Sequence, residues 1–387
     1  MLYLILITIH AKELLGVIHI SRHGERTPIK KFSWDNVERE HNPLDLTNTG
    51  IVQNYILGQE FRERYIVTSE LIPDYYNASL VYIRSTEFAR TVSSAQAQMS
   101  GFFPNGPKLA SPSNKHKAVP PFKFDGLERA LASMGSEALP NSFQPVFIDM
   151  INKEQDHLLL GFSKACPKIG DYIKQAQDSP SYKQKKEKYE KDLKQSLEGI
   201  LNQDHISFEE AAIIGDTLEG IFNEGHGFPE GITYEIMREL AGIRDYCNSY
   251  MFEFIEPTQL ASSEMLNYIK KTFEDLMYQK TTRKLSFFFA HDTTLIALLS
   301  ALNGWDSLNP AFASTLVFEL YKETDYKVKI TYNDEVIEMN SQASISFKDF
   351  KKFVNSYALD DVPKQCRYSL SNEMRRSEEN YFYSMVS

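Results

Sequence analysis

Residues 20–30 read ISRHGERTPIK: one histidine, His23, set between Arg22 and Arg26, with a glycine after it and Thr-Pro near the end of the run. Neighbouring positive charge disfavours an imidazolium, so His23 is expected to stay neutral, and a neutral imidazole is a nucleophile. Guanidinium groups pair bidentately with phosphate oxygens, so the same arginines form a receptor for a dianion. The chemistry that needs both is transfer of a phosphoryl group to His23. Two later runs supply what that reaction lacks. YIRSTEFART brings Arg84, with Arg90 beyond it, and the pair His291-Asp292 brings a second imidazole and a carboxyl group. Arg22, Arg26 and Arg84 can offset charge that grows in the transfer, and His291 can donate a further hydrogen bond to a phosphate oxygen. Asp292 can protonate a leaving alkoxide and then take a proton from water. Gly24 is read as room for close approach of the phosphate, and Pro28 as a stiffener of the loop.

Singly these motifs are weak, because an arginine at a strand end is commonly a surface ion-pair partner and His-Asp occurs by chance. Their contexts bind them together. LLGVIHI is a continuous apolar run that suits a buried strand and delivers the first motif at its carboxyl end. SLVYIRST and KLSFFFA are two more runs of the kind, delivering Arg84 and His291-Asp292. Each is followed by a helical pattern: LTNTGIVQNYILGQEFRERYI, capped by Thr47 or Asn48; EFARTVSSAQAQMSGFF; and HDTTLIALLSALNG, terminated by Gly304. Strand–loop–helix units of this sort predict an α/β fold, a mostly parallel sheet flanked by helices, with ligands at the carboxyl ends of the strands.

Residues 12–124 and 281–387 are assigned to this α/β core and residues 125–280, mainly helical in pattern, to an inserted cap. Within the cap SPSYKQKKEKYEKDLKQSLEGI interleaves lysine and glutamate around Tyr189, Leu193 and Leu197 and reads as one solvated helix. ASTLVFELYKE and YKVKITYNDEVIEM alternate like a strand pair, the second at a sheet edge because of its charges. SFKDFKKFV suits a short helix capped by Ser346.

The chain has 387 residues, 42% of them hydrophobic, a formal net charge of −10 and a pI near 5.5. That balance argues against a nucleic-acid partner. An acidic protein that binds an acidic substrate must gather positive charge locally, in a cleft. Residues 2–9 are apolar but too few to span a bilayer, and with Ala11 after them residues 1–11 are read as a signal peptide; no other stretch reaches transmembrane length, and the tail from residue 371 is polar. A secreted or endolysosomal location follows. Asn77-Ala78-Ser79 is then a candidate N-glycosylation site. Cys166, Cys247 and Cys366 allow one internal disulfide and a leftover thiol, and composition does not choose the pair. His19 and His23 lie on a strand-to-loop run rather than one helix face, so no metal pair is assigned. His226, in NEGHGF, reads as a solvated loop residue. No cofactor and no metal are expected.

RHGERTP, RSTEFART and the late His-Asp, in that order and context, resemble the histidine acid phosphatases, the family that includes prostatic and lysosomal acid phosphatases. The resemblance runs from about residue 14 to 366. It implies hydrolysis of small-molecule or protein phosphomonoesters through a phosphohistidine, without metal, on an α/β core with a helical cap, in a protein that is often a homodimer. Carried over, His23 is the nucleophile, Asp292 the proton donor, and Arg22, Arg26, Arg84 and His291 hold phosphate. ACPKIG and PKQCRYSL resemble a bridged pair, which implies a Cys166–Cys366 disulfide; animal relatives of this type carry six cysteines, and IFNEGHGF and FASTLVFELY have none. An inositol polyphosphate phosphatase or phytase-like enzyme is the nearest alternative, disfavoured by the His-Asp dipeptide. A non-catalytic phosphate-binding module is the second, disfavoured because His291 and Asp292 are both present.

Overall fold

The computed structural model describes residues 12–108, 117–133, 136–162 and 165–366; the expected signal peptide and the polar tail lie outside them. The three apolar runs are strands: β1 (Glu13–Arg22), β2 (Val81–Ser85) and, after the two-residue β3 (Asp149–Met150), β4 (Leu285–Ala290). With β5 (Thr315–Lys322), β6 (Tyr326–Tyr332), β7 (Glu335–Val336) and β8 (Ile345–Ser346) they form one sheet in the order β3-β2-β4-β1-β5-β6-β7, with β8 also paired to β6. The sheet is mixed. β3, β2, β4 and β1 are mutually parallel, whereas β5 runs against β1 and β6 against β5. The short turn between β5 and β6 allows only an antiparallel hairpin. β6 is not itself the edge, because the short strands β7 and β8 pair with it.

Successive side chains on a strand face opposite ways, and β4 shows what that does for the core. Phe287 and Phe289 pack with Phe61, Met99 and Phe102 under α1 (Asn48–Arg62) and α2 (Ala89–Phe102). Phe288 and Ala290 pack on the other face with Leu266, Ile269, Leu295 and Phe350. Thr47 caps α1, its hydroxyl accepting the Gly50 N–H at 3.1 Å. α1 and α2 touch backbone to backbone: a Cβ on Gly58 would sit 2.0 Å from Gln98 O, and one on Gly101 2.1 Å from Tyr55 O.

Between β2 and β4 the chain is mainly helical: α3 (Leu127–Ser133), α4 (Ile169–Gln177), α5 (Pro180–Asp192), α6 (Lys194–Leu201), α7 (Phe208–Asn223), α8 (Tyr234–Ser249) and α9 (Ile255–Met277). The lysine-rich helix expected as one piece is two, α5 and α6, broken at Leu193. Tyr189, Leu193 and Leu197 are all buried, so tertiary packing sets the break. α9 packs on the sheet through Met265, Leu266, Ile269 and Phe273, within the stretch expected as cap. α10 (Asp292–Ala301) follows β4, and the left-handed residue beyond its end is Asn303, not Gly304. α11 (Phe347–Tyr357) has its Ser346 cap. Cys366, just after α12 (Val362–Gln365), is bonded to Cys166, closing a separation of 200 residues. Cys247 is buried on α8, outside that bridge.

Candidate active site

In the sheet register Arg22 lies beside Ala290, and Arg84 beside Phe288, so the parallel strands end at nearly one level. β1 hands the chain to a loop held from two sides. The His23 N–H donates to Ala290 O at the end of β4, and His23 O accepts the Ala313 N–H, both at 3.0 Å. Ala313 is left-handed, with a φ of 60°, unusual for a residue with a Cβ. The Gly24 expectation needs correcting. A Cβ there would lie 2.4 Å from Gly50 O and 2.5 Å from Asn54 Nδ2, so the glycine admits the first turns of α1 rather than a phosphate.

The His23 ring states its own tautomer. Nδ1 lies 2.8 Å from Gly24 O, and a carbonyl oxygen only accepts. Nδ1 therefore carries the proton and Nε2 the lone pair. Burial holds His23 well below the usual imidazole range, and Arg90, Arg22, His291 and Arg26 push the same way. The expected effect of Arg22 and Arg26 is present, but burial and Arg90 come first.

Each arginine assigned to phosphate from the sequence has an aspartate partner. Arg22 Nη2 pairs with Asp292 Oδ2 at 2.9 Å, its Nη1 donates to Pro310 O, and its guanidinium stacks 4.2 Å from the centre of the Phe312 ring. Arg84 Nη2 donates to Asp156 Oδ1 at 2.5 Å. Arg26 faces Asp216 with two bonds, Nη1 to Oδ2 at 3.1 Å and Nη2 to Oδ1 at 2.9 Å. Arg90 reaches the same site from α2; burial, with Arg26 and Arg22, lowers its pKa to about 9. The Nε–H groups of Arg22 and Arg84 are buried and find no acceptor among the described residues. A buried donor without an acceptor is costly.

His291 and Asp292 begin α10. A guanidinium only donates, so His291 Nδ1 accepts from Arg90 Nη2 at 3.4 Å, leaving the proton on Nε2, which donates to Thr86 Oγ1 at 3.1 Å. The His291 and His23 rings meet edge to face, with centres 5.6 Å apart. Asp292 Oδ1 accepts the Thr293 N–H at 2.8 Å, and Oδ2 accepts from Asn309 Nδ2 as well as from Arg22. Burial would raise the Asp292 pKa, but positive charge, Arg22 foremost, outweighs it and holds the carboxyl at about 2. Asp292 thus stands ionised, not protonated, in the free site.

All six residues taken from the sequence lie together at the carboxyl ends of the parallel strands: Arg22 and Arg84 near the ends of β1 and β2, His23 and Arg26 in the loop after β1, His291 between β4 and α10, and Asp292 as the first residue of α10. Sequence reading missed Asp156, Asp216, Asn309 and Phe312, none of which belongs to a motif. His226 is exposed in the loop after α7, and Asn77 is half-buried in the turn before β2. His19 is buried against Phe61, Phe287 and Phe289. Among the described residues no group of three or more His, Cys, Asp or Glu could hold a metal ion, and no helix is long and apolar enough to cross a membrane.

Residues 13–333 match the family described as the histidine phosphatase superfamily (branch 2). Human lysosomal acid phosphatase is 26% identical over 336 residues, covering 84% of this chain and 72% of that protein. Bovine prostatic acid phosphatase is 26% identical over 339 residues, covering 84% and 79%. Among solved structures, the phytase of Citrobacter braakii superposes with a TM-score of 0.63 at 16% identity, over 90% of this chain and 99% of that one.

Proposed function

The chain belongs to branch 2 of the histidine phosphatase superfamily, and from that premise we propose that it is an acid phosphatase working through a phosphohistidine on His23. The observation that carries the reading is the His23 tautomer: the bond to Gly24 O leaves Nε2 as the free lone pair beside the arginines. In the first step Nε2 attacks phosphorus, the P–O ester bond breaks, and the leaving alkoxide takes a proton from Asp292. In the second, water attacks the phosphohistidine, its proton passes to Asp292, and the P–N bond breaks to release phosphate. Arg22, Arg26 and Arg84 hold the phosphoryl oxygens, and His291 joins them by exchanging its Thr86 partner for a phosphate oxygen.

Asp292 begins ionised, so the proton has to arrive with the substrate. A bound phosphate neutralises Arg22, the charge that holds Asp292 down, and its carboxyl group then rises toward the range where it is protonated in acid. This links activity to the acid side of neutrality. The pairing of Arg22, Arg26 and Arg84 with aspartates leaves only a modest excess of positive charge, which favours single phosphomonoesters over inositol polyphosphates. The helices between residues 125 and 280, α9 excepted because it packs on the sheet, are proposed as the cap that selects the substrate. The proposal includes a secreted or endolysosomal location, supported by the lysosomal and prostatic relatives, with glycosylation at Asn77. It also includes a homodimer, for which the exposed Phe147 and Met150 at the edge strand β3 offer apolar surface.

Rapid quenching of labelled substrate in EDTA should trap an acid-labile, alkali-stable phosphoenzyme, and His23→Ala should lose both the label and turnover. Turnover that persists in His23→Ala would overturn the reading.

A further inference from the structure

Helix α7 lies along the loop that carries His23. Thr217 Oγ1 donates to Lys30 O at 3.2 Å, and Gly220 approaches Pro28 so closely that a Cβ would sit 2.8 Å from the proline ring. At the centre of this seam is Asp216, 6% exposed, which takes the Ile29 N–H at 2.9 Å as well as the two Arg26 bonds. We propose that Asp216 is a positioning residue for the reaction, acting through Arg26.

The argument is one of donor directions. Arginine has five N–H bonds in a fixed plane. Asp216 uses one on Nη1 and one on Nη2, the pair at the end of the fork, and Thr27 O takes the other Nη1–H at 3.0 Å. What is left is the Nε–H and the outer Nη2–H, which lie parallel along the side of the fork. Two parallel donors on one edge match two oxygens of a phosphate. Asp216 therefore fixes the plane of the guanidinium without occupying the edge that meets the ligand. It is fixed in turn by the Ile29 N–H of the loop it serves, so Arg26 and the backbone around it move as one unit. A carboxylate in that position also offsets one guanidinium in a site that gathers four. It does so across the end of the fork, leaving the adjoining Nε–Nη2 edge to the proposed ligand.

This inference rests on the phosphoryl-transfer reading above. The test uses the full chain, p-nitrophenyl phosphate at pH 5 in EDTA, and inorganic phosphate as a competitive probe. Asp216→Ala should lower kcat/KM roughly 100-fold, on the scale of losing one oriented donor, with most of the loss in kcat. Inhibition by phosphate should be unchanged or tighter, because a loosened but uncompensated Arg26 still attracts an anion. Asp216→Asn, which keeps one acceptor, should fall between; it also carries the test if the alanine variant does not fold. In an Arg26→Ala background, Asp216→Ala should add little further loss. Glu210→Gln, which removes another α7 contact with the loop at Lys30, should leave kcat unchanged. Losses that add in the double variant, phosphate inhibition that weakens in step with kcat, or an equal loss in Glu210→Gln would overturn the proposal. If Arg26→Ala alone keeps wild-type turnover, it is the role of Arg26 in the function that fails.

Discussion

His19 gives the sharpest quantitative consequence of this fold. It is fully buried on β1, its ring centre 4.5 Å from that of Phe61 and 5.2 Å from that of Phe287, and neither ring nitrogen has a partner among the described residues. Burial, with Arg64 adding to it, lowers its pKa from 6.5 to about 3. Between those two values the unfolded chain binds a proton and the folded protein does not, so stability is lost as the pH falls. Going from pH 7.5 to pH 5, this one side chain costs about 2 kcal/mol, from RT ln(1 + 10^1.5) for the unfolded state. The folded state contributes almost nothing to that figure, since pH 5 lies well above about 3. His19→Phe removes the titration and keeps an aromatic ring against Phe61 and Phe287. The assay is urea unfolding at both pH values, followed by tryptophan fluorescence. Wild type should lose about 2 kcal/mol more than the variant between pH 7.5 and pH 5; any overpacking from the larger ring is the same at both pH values and cancels. Equal losses in the two proteins would refute the reasoning, because they would mean that His19 does not titrate on unfolding in this range.

Two further outcomes follow from the site and the bridge. Asp292→Asn should slow alkyl phosphates far more than p-nitrophenyl phosphate, since a good leaving group needs less protonation; equal losses would point to the Arg22 contact instead. Cys366→Ser should lower the midpoint of thermal unfolding, because the bridge closes 200 residues, a loop for which the entropic argument allows up to roughly 5 kcal/mol; non-reducing peptide mapping of the wild type should recover the Cys166–Cys366 peptide.

What could be read from the sequence was local. His23 and its arginines are contiguous, and Arg84 and His291-Asp292 follow apolar runs that announce a buried strand, so motif and element support each other. Thr47 and Ser346 are caps with hydroxyls just before helical patterns. What could not be read depends on distance along the chain. Asp156 is 72 positions from Arg84, and Asp216 is 190 from Arg26; each is a lone aspartate in a run with no pattern of its own. The break at Leu193 falls inside a sequence with good helix formers on both sides, and only the core behind Leu193 and Leu197 requires it. Gly24 was legible as a glycine that must be glycine. Its reason, the backbone of α1 pressed against it, was not.

The three arginine–aspartate pairs explain how so much positive charge is held together before any ligand arrives. Guanidinium groups crowded into a buried cleft oppose one another, and burial first, then Arg26 and Arg22, lowers the pKa of Arg90. Three aspartates offset that charge, but they are not equivalent. Asp156 is fully buried and its Oδ1 also accepts the Leu159 N–H, while Asp216 is nearly buried and accepts the Ile29 N–H. Burial by itself favours the neutral acid: at Asp156 it raises the pKa against the pull of Arg84, whereas at Asp216 the Arg26 pairing and the Ile29 N–H outweigh it and lower the pKa. Asp292 differs. Its side chain is 15% exposed, and the oxygen that meets Arg22 has beyond it only an amide donor at 3.3 Å. In the proposed reaction a phosphate takes over Arg22, and the greater exposure of Asp292 gives a proton a route to its carboxyl group. The same residue type, paired with the same partner type, is thus tuned three ways: raised by burial at Asp156, lowered by the Arg26 pairing at Asp216, and lowered chiefly by Arg22 at Asp292, the charge that the phosphate of the proposed reaction would neutralise.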